Sequence, residues 1–506
     1  MKITRRSVIV QGGIIGAGLI ASNVSGFKAY AQIATVPVRR SLQGLAWNDP
    51  IVATYRDAVG ILQKLPATDK LNWVKLSEIH GSSTGFKYCP HGNWYFLPWH
   101  RAYTVMYERI VRNVTKNDKF AMPYWDWTAS PYLPDVFMMK TTPDGKPNPL
   151  YVDERASPAN KPIRDSVVGQ TVLDNILKSA TYEIFGTSRP RGQNTLDSSW
   201  ITNVDGTQGT LEATPHNIVH NDIGGFMNNA CSPRDPIFFM HHGNIDRIWA
   251  VWNMRYANSN DPLWTNMQFT NNFVNHNGTF WSPKVSELCM PEKLGYDYNL
   301  PATKLLAADA NPKTLALEEK LSAVVASAMD KIDVEGVTAV STENTKTATP
   351  REPLSLPVTI PGAALNSIVS QQLLASGIET MDFAAAQEHV ASTTRVLAFL
   401  RNVTISDPDT TSVNVFMGDR DIKPDTPTTD PRYVGSFAIF GSHGPDGHAQ
   451  AAPSFLLDLT DVIQRVYGHQ GAEGNQIDLQ IVPVPAGNGK PGTVTFKRLE
   501  IAIILA

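Results

Sequence analysis

The chain has 506 residues, enough for roughly two to four domains and several hydrophobic cores. With 44 basic and 47 acidic residues its formal net charge is −3, which leaves no electrostatic footprint for nucleic acid or an anionic membrane. Three cysteines exclude a disulfide scaffold, and 35 Gly with 35 Pro is ordinary usage that excludes a collagen-like or disordered chain.

Residues 1–31 read as a targeting segment. Thr4-Arg5-Arg6-Ser7-Val8 resembles a twin-arginine signal, and Ala29-Tyr30-Ala31 gives a small-x-small cleavage pattern with Gln32 as the mature start. The apolar run between is broken by Gly12, Gly13, Gly16 and Gly18 and is shorter than the ~20 residues a spanning helix needs. Export of a folded protein to a periplasmic or secreted location is expected, with no stable membrane anchor. Folding would then occur in a reducing compartment, in keeping with the low cysteine count.

Helical patterns follow over about 32–300. Asp49-Pro50 predicts a helix start, with Asp as N-cap and Pro in the first turn. Thr68 or Asp69 opens a second helix running to about His80-Gly81, Pro98 a third and Asp235-Pro236 a fourth. All 11 Trp lie between Trp47 and Trp281. Residues 301–355 are Ala-, Lys- and Thr-rich and read as a linker with one helix over 315–329. Beyond it the period changes to two. Strands are predicted at 356–360, 394–405, 412–417, 433–440, 476–483 and 493–505, a β-sandwich pattern over 356–506.

The histidines carry the chemistry. His80 ends the second helix, His91 follows Cys89-Pro90 in a loop, and His100 lies in the first turn of the Pro98 helix. His216 and His220 are four apart and share one helix face. His241 and His242 follow on the Asp235-Pro236 helix; neighbouring helical residues point about 100° apart, so one of them is expected to join His216 and His220. HxxxH alone recurs by chance, and HExxH is absent because Asn217 follows His216. An imidazole-only set suits copper or zinc better than magnesium or calcium.

The residues around these histidines narrow the choice. Phe96-Leu97-Pro98-Trp99-His100-Arg101 and Tyr107-Glu108-Arg109 resemble the first copper motif of the tyrosinase, polyphenol oxidase and haemocyanin family. Pro123-Tyr124-Trp125-Asp126-Trp127 is similar to its next block. The run from Asp235-Pro236-Ile237-Phe238-Phe239 through Met240-His241-His242-Gly243-Asn244 to Ile245-Asp246-Arg247-Ile248-Trp249 resembles its second copper motif. Val38-Arg39-Arg40 and Tyr296-x-Tyr298 look like the start and end marks of its catalytic domain. The resemblance covers roughly 38–300. Gly435-Ser436-Phe437 and the closing strand are more weakly similar to the β-domain of plant-type members, and Asn217 with a Glu four residues before His216 points to that branch.

That resemblance implies a multidomain α + β fold: a mainly helical catalytic domain built round a four-helix dicopper bundle, followed by a C-terminal β-sandwich. It implies two copper ions, one held by His80, His91 and His100 and the other by His216, His220 and His242, with O2 as cosubstrate and small phenols as substrates. Expected is a tyrosinase, which hydroxylates monophenols and oxidises o-diphenols to o-quinones; the alternatives are a catechol oxidase without monophenolase activity and a haemocyanin-like O2 carrier. Glu212 and Asn217 match the residues proposed in the family to hold a water that deprotonates the phenol. Cys89 matches a cysteine linked to its histidine, here His91, by a thioether. Phe238 is expected as a gate over the metals, with Asn229 and Ala230 shaping the entrance. Asp246 is expected to orient a ligand histidine or to pair with an Arg. The C-terminal region is read as a lid that keeps the enzyme latent through an apolar or aromatic plug; the competing roles are homo-oligomerisation and help in folding and copper loading. Cys231 and Cys289 have no assigned pairing.

Overall fold

The computed structural model describes residues 36–504 apart from 156–160, 191, 199–204, 299, 301–319, 322, 326–336, 363–364, 366–367, 369–393, 419–420, 442–451, 468–475 and 487–488. The signal-like segment, most of the helix expected at 315–329, and His389, His443, His448 and His469 lie outside the described residues.

Helix α1 (Pro50–Lys64) begins where the sequence places it: the Asp49 carboxylate accepts from the Ile51 amide at 2.9 Å. Helix α2 (Trp73–Ser77) starts later than expected. Asp69 caps only a turn, through the Leu71 amide, and Asn72 is the N-cap, accepting from Val74. Helix α3 (Phe96–Thr115) has Pro98 in its first turn and stops at Lys116, whose φ of 56° is left-handed. Helix α4 (Asn217–Ile223) follows a short irregular helical turn, and α5 (Ile237–Trp252) is entered through Asp235, which accepts from the Ile237 amide at 3.0 Å.

Two sheets make up the C-terminal part. In chain order the strands are β1 (Thr207–Gln208), β2 (Val337–Glu343), β3 (Leu354–Thr359), β4 (Arg395–Ile405), β5 (Thr411–Met417), β6 (Tyr433–Phe437), β7 (Ser454–Asp458), β8 (Gln476–Pro485) and β9 (Val494–Ile504). One sheet runs β6-β5-β8-β3 and the other β1-β7-β4-β9-β2. Alternate residues of β4 face opposite ways: Val396, Ala398 and Leu400 enter the core between the sheets. Leu397 and Phe399 pack on the other side with Ile184, Val324 and Val325, which is why this strand reads as a continuous apolar run.

Three strands depart from expectation, among them β7, a short buried run in a stretch assigned no strand. β2 lies inside the stretch read as linker and pairs with β9 from Val337↔Ile504 to Glu343↔Arg498; as an edge strand exposed on much of its length it has no apolar run to betray it. β1 belongs to the helical part of the sequence, yet pairs in parallel with β7, Thr207 opposite Ser454 and Gln208 opposite Phe455.

A buried charge cluster closes the helical part on itself. Asp246 of α5 accepts from Arg101 of α3 at 2.5 Å, from Arg39 at 3.1 Å, and from the hydroxyls of Tyr296 and Tyr298 at 2.6 and 2.5 Å. Arg39 also reaches Glu108 of α3 at 2.8 Å, and Glu108 accepts from Arg112 at 2.6 Å. Burial alone would raise the Asp246 pKa, but Arg101 and Arg39 hold it below the usual carboxylate value. Asp246→Ala strands two buried guanidinium groups and is expected to cost about 3–5 kcal/mol, with Asp246→Asn less severe. Urea denaturation of the full chain checks this; a loss under about 1 kcal/mol would contradict it.

Candidate metal centre

The histidines gather into two buried groups. One is His80, His91 and His100 with Cys89; the other is His216, His220, His241 and His242. Within each group one ligand-type atom per residue lies within 4.8 Å of all the others. The groups face each other: His100 stacks on His242 with ring centroids 4.3 Å apart and planes 5° off parallel, and His91 stacks on His216 at 5.5 Å.

Four rings are fixed by hydrogen bonds from Nδ1. His80 donates to the Ala230 carbonyl at 2.8 Å, His100 to Phe96 at 2.8 Å, His220 to Met227 at 2.5 Å, and His216 to Asn217 Oδ1 at 2.9 Å. With Nδ1 carrying the proton, Nε2 is left with its lone pair. Nε2 of His80 and of His216 is buried with no hydrogen-bond partner, and Nε2 of His220 lies 3.3 Å from that of His242. Nδ1 of His242 is unpartnered, so its Nε2 can either donate to His220 Nε2 or join it in holding a cation. Burial pushes the His80 pKa down to about 4 and that of His216 to about 3. Burial, reinforced by neighbouring imidazoles, puts His91, His100, His220 and His242 well below 6.5. Neutral imidazole is the metal-binding form, so the donor set fits two soft or borderline metal ions.

Both members of the His241-His242 pair reach the second group, against the expectation of one. His241 lies 4.7 Å from His220 and 5.4 Å from His216, with both ring nitrogens unpartnered and Trp127 at 5.1 Å on another side. The two side chains diverge at the backbone, but imidazole reaches far enough past Cβ for both rings to meet the helix packed against them.

Cys89 lies beside His91. Its Sγ is 3.5 Å from Nδ1 and 3.7 Å from Nε2, so it faces the ring carbon between them; it is also 3.2 Å from His100 Nε2. Cys231 and Cys289 are both free thiols.

Glu212 is fully buried. Its Oε1 accepts from the Gly92 amide at 2.7 Å and its Oε2 from the Thr187 hydroxyl. Burial raises its pKa to about 8, against the lowering effect of those two bonds. Asn217 donates to Gln208 Oε1 and to the Ala438 carbonyl, both at 2.8 Å. The two residues thus stand beside the second group, each bonded elsewhere rather than to the other.

Phe238 is wholly enclosed. Its ring is 4.2 Å from His242, 5.3 Å from His80 and 5.9 Å from His220, with Tyr103 at 5.8 Å. That is the position of a wall shared by both groups. The ring from the C-terminal part is Phe440, 4.2 Å from His220, 5.0 Å from His91 and 5.6 Å from His216. Asn229 is part-buried and bonds Gly225 and Cys231, and Ala230 supplies the His80 acceptor. Asp246 orients no imidazole. One turn beyond His242, it meets Arg101 and Arg39, whose two charges claim both its oxygens. Sequence reasoning missed Gln208, Thr187 and the identity of Phe440: Gln208 is nine residues from Asn217, Thr187 twenty-five from Glu212, Phe440 comes from the C-terminal part, and none carries a local pattern.

The common central domain of tyrosinase matches residues 70–255. Tyrosinase HcTyr1 of Hahella sp. (strain CCB-MM4) is 24% identical over 483 residues, covering 86% of this chain and 93% of its own. The chloroplastic polyphenol oxidase of Vitis vinifera is 28% identical over 56% of this chain, which spans about half the relative's length, 52%. Among solved structures, latent apple tyrosinase superposes with a TM-score of 0.61 at 21% identity, over 94% of this chain and 99% of that one. A latent aurone synthase from natural source gives 0.63 at 20%, over 96% and 92%. Helical core and C-terminal sheets together therefore have the fold of latent plant-type enzymes. By its residues 70–255 the chain carries the common central domain of the tyrosinase family. Its members are binuclear copper enzymes that act on phenols with O2, and the two buried groups here fit such a pair.

Acid should act on the metal-free protein through these rings. Their folded pKa values are depressed, so their contribution to stability is complete above the unfolded value near 6.5. It is lost as pH falls from there through about 4 for His80 and about 3 for His216. The urea midpoint of the metal-free chain is expected to fall steadily between pH 7 and pH 4; a flat profile would contradict it.

Proposed function

We propose that the chain is an exported type 3 copper oxidase that hydroxylates monophenols and oxidises o-diphenols to o-quinones. The observation that carries this reading is the face-to-face pair of buried histidine groups, in which four Nδ1 atoms are tied and leave the lone pair on Nε2. His80, His91 and His100 would hold one copper, and His216, His220 and His242 the other; His242 is preferred to His241 because its Nε2 meets that of His220. When bound, the pair supplies redox chemistry toward O2 and Lewis acidity toward a phenolic oxygen. The overall change is phenol plus O2 to o-quinone plus water, or two catechols plus O2 to two o-quinones plus two waters. The export reading rests on residues 1–31, outside the described residues.

The protein's own part begins with a proton. A phenol has a pKa near 10 and must lose its proton to bind a metal. Glu212, ionised, would take it through a water held with Asn217. Its raised pKa makes it a stronger base than a solvated carboxylate, and Gly92 and Thr187 fix its direction. In the covered chain both Asn217 donor hydrogens go to Gln208 and Ala438. Glu212→Gln is expected to lower L-tyrosine hydroxylation by at least ~100-fold and to leave L-DOPA oxidation within a few-fold. Full retention of both activities would remove the role.

Cys89 would join the His91 ring through a thioether, the two hydrogens passing to O2. The sulfur already faces the ring carbon. Copper-loaded protein should be two hydrogens lighter than its sequence by intact mass, and an unchanged mass would refute the link.

The C-terminal region, from β2 onward, would act as the lid, and Phe440 as its plug against His91, His216 and His220. Full-length Phe440→Ala should oxidise catechol several-fold faster than the unmodified chain without protease or detergent. Equal turnover per copper would leave the region as a structural partner only.

A further inference from the structure

The chain around α4 presents two faces. His216 and His220, four apart, face the metal groups. Asn217 and Asn221, also four apart, face the C-terminal part. Asn217 Nδ2 donates to the Ala438 carbonyl at 2.8 Å, and Asn221 Nδ2 to Ile439 at 2.9 Å and Pro408 at 3.1 Å. Just upstream, the Thr214 hydroxyl donates to the Ser436 carbonyl at 2.6 Å. Three backbone carbonyls of one short segment are thus met in succession by three side chains, and the next residue along is Phe440.

The other acceptor of Asn217 is Gln208 Oε1, also at 2.8 Å. Gln208 is not a free loop residue. It lies in β1, held in register on β7, and Arg401 of β4 donates to Thr207 beside it at 2.9 Å. The Asn217 amide therefore has both donor hydrogens engaged by the C-terminal part or by a strand built into its sheet. Its oxygen has one role left, to accept from His216 Nδ1. A flipped amide would set its NH2 against the Nδ1 proton and its oxygen against two other oxygens. So the pair of acceptors fixes the amide, the amide fixes the His216 tautomer, and the tautomer puts the lone pair on Nε2.

We propose that Gln208 and the Ala438 carbonyl are positioning groups for the second metal group, acting on His216 through Asn217, and that the Thr214 and Asn221 bonds to Ser436 and Ile439 hold the Ala438 carbonyl in place. Docking of the C-terminal segment then does two things at once: Phe440 covers the site, and the Ala438 carbonyl holds one histidine ready for metal. By linkage, whatever loosens that segment weakens the second metal and leaves the first alone. The inference rests on the two-metal reading above.

The test uses the full-length chain and copper alone, titrated as Cu(I) against a competing chelator so that two binding steps are resolved. Gln208→Leu removes the side-chain acceptor but keeps the backbone pairing of β1. Its second step should weaken about 10- to 100-fold with the first unchanged. Gln208→Glu keeps an acceptor and should restore most of the loss. Asn221→Leu, which loosens the segment without touching Asn217, should weaken the second step about threefold. Unchanged affinities in Gln208→Leu overturn the proposal, as does equal weakening of both steps. An effect in Gln208→Leu but none in Asn221→Leu removes the C-terminal segment from it. Failure of the unmodified chain to bind two coppers would instead overturn the two-metal reading itself.

Discussion

The carboxylate of Asp246 sits between two guanidinium groups from which water is excluded, and the geometry of the metal groups hangs on it. Arg101 directly follows His100 on α3, and Asp246 lies one turn after His242 on α5. Joining them sets the relative register of the two helices, and in that register the rings of His100 and His242 stack at 4.3 Å. Arg39, Tyr296 and Tyr298 bring the two ends of the helical part to the same carboxylate. A charge cluster so deeply buried tolerates little rearrangement, because any displaced arm leaves an unpaired ion in a medium that cannot solvate it.

Around the metal groups the same dryness works the other way. No carboxylate belongs to either group, so every ring must stay neutral, and burial enforces that. The enclosing side chains are mostly aromatic: Phe86, Phe96, Phe238 and Phe440 each contact histidines. They exclude water without offering a competing ligand. Glu212 is kept just outside, its carboxyl bonded to an amide and a hydroxyl.

Local signals made much of this visible in the chain. Asp49 and Asp235 cap the helices they precede, and five of the β-sandwich strands lie within two residues of where alternation places them. Spacing and motif together pick out six of the seven histidines gathered in the two groups and the cysteine beside them; His241 is expected to stand apart. What escaped was long-range. β2 is polar and β1 only two residues long, so neither has a period to read. Asp246 reads equally as a histidine orienter or an Arg partner; which of the two holds is set by residues fifty or more positions away in sequence. Strand 433–440 was read to its end as sheet, whereas pairing stops at Phe437 and the last three residues turn toward the metals.

The edge position of β2 bears on what a protease could accomplish. Seven consecutive residues of that strand are registered on β9, so a cut after Glu343 severs the chain but leaves the upstream fragment stitched to the sheet. A cut before Val337 passes the whole strand to the C-terminal fragment, and the two pieces then share only noncovalent surfaces such as the two-residue pairing of β1 with β7. A nick is therefore not the same event as a release. A few residues' difference in the cleavage point decides whether β2 stays with the upstream fragment or leaves with the rest of its sheet.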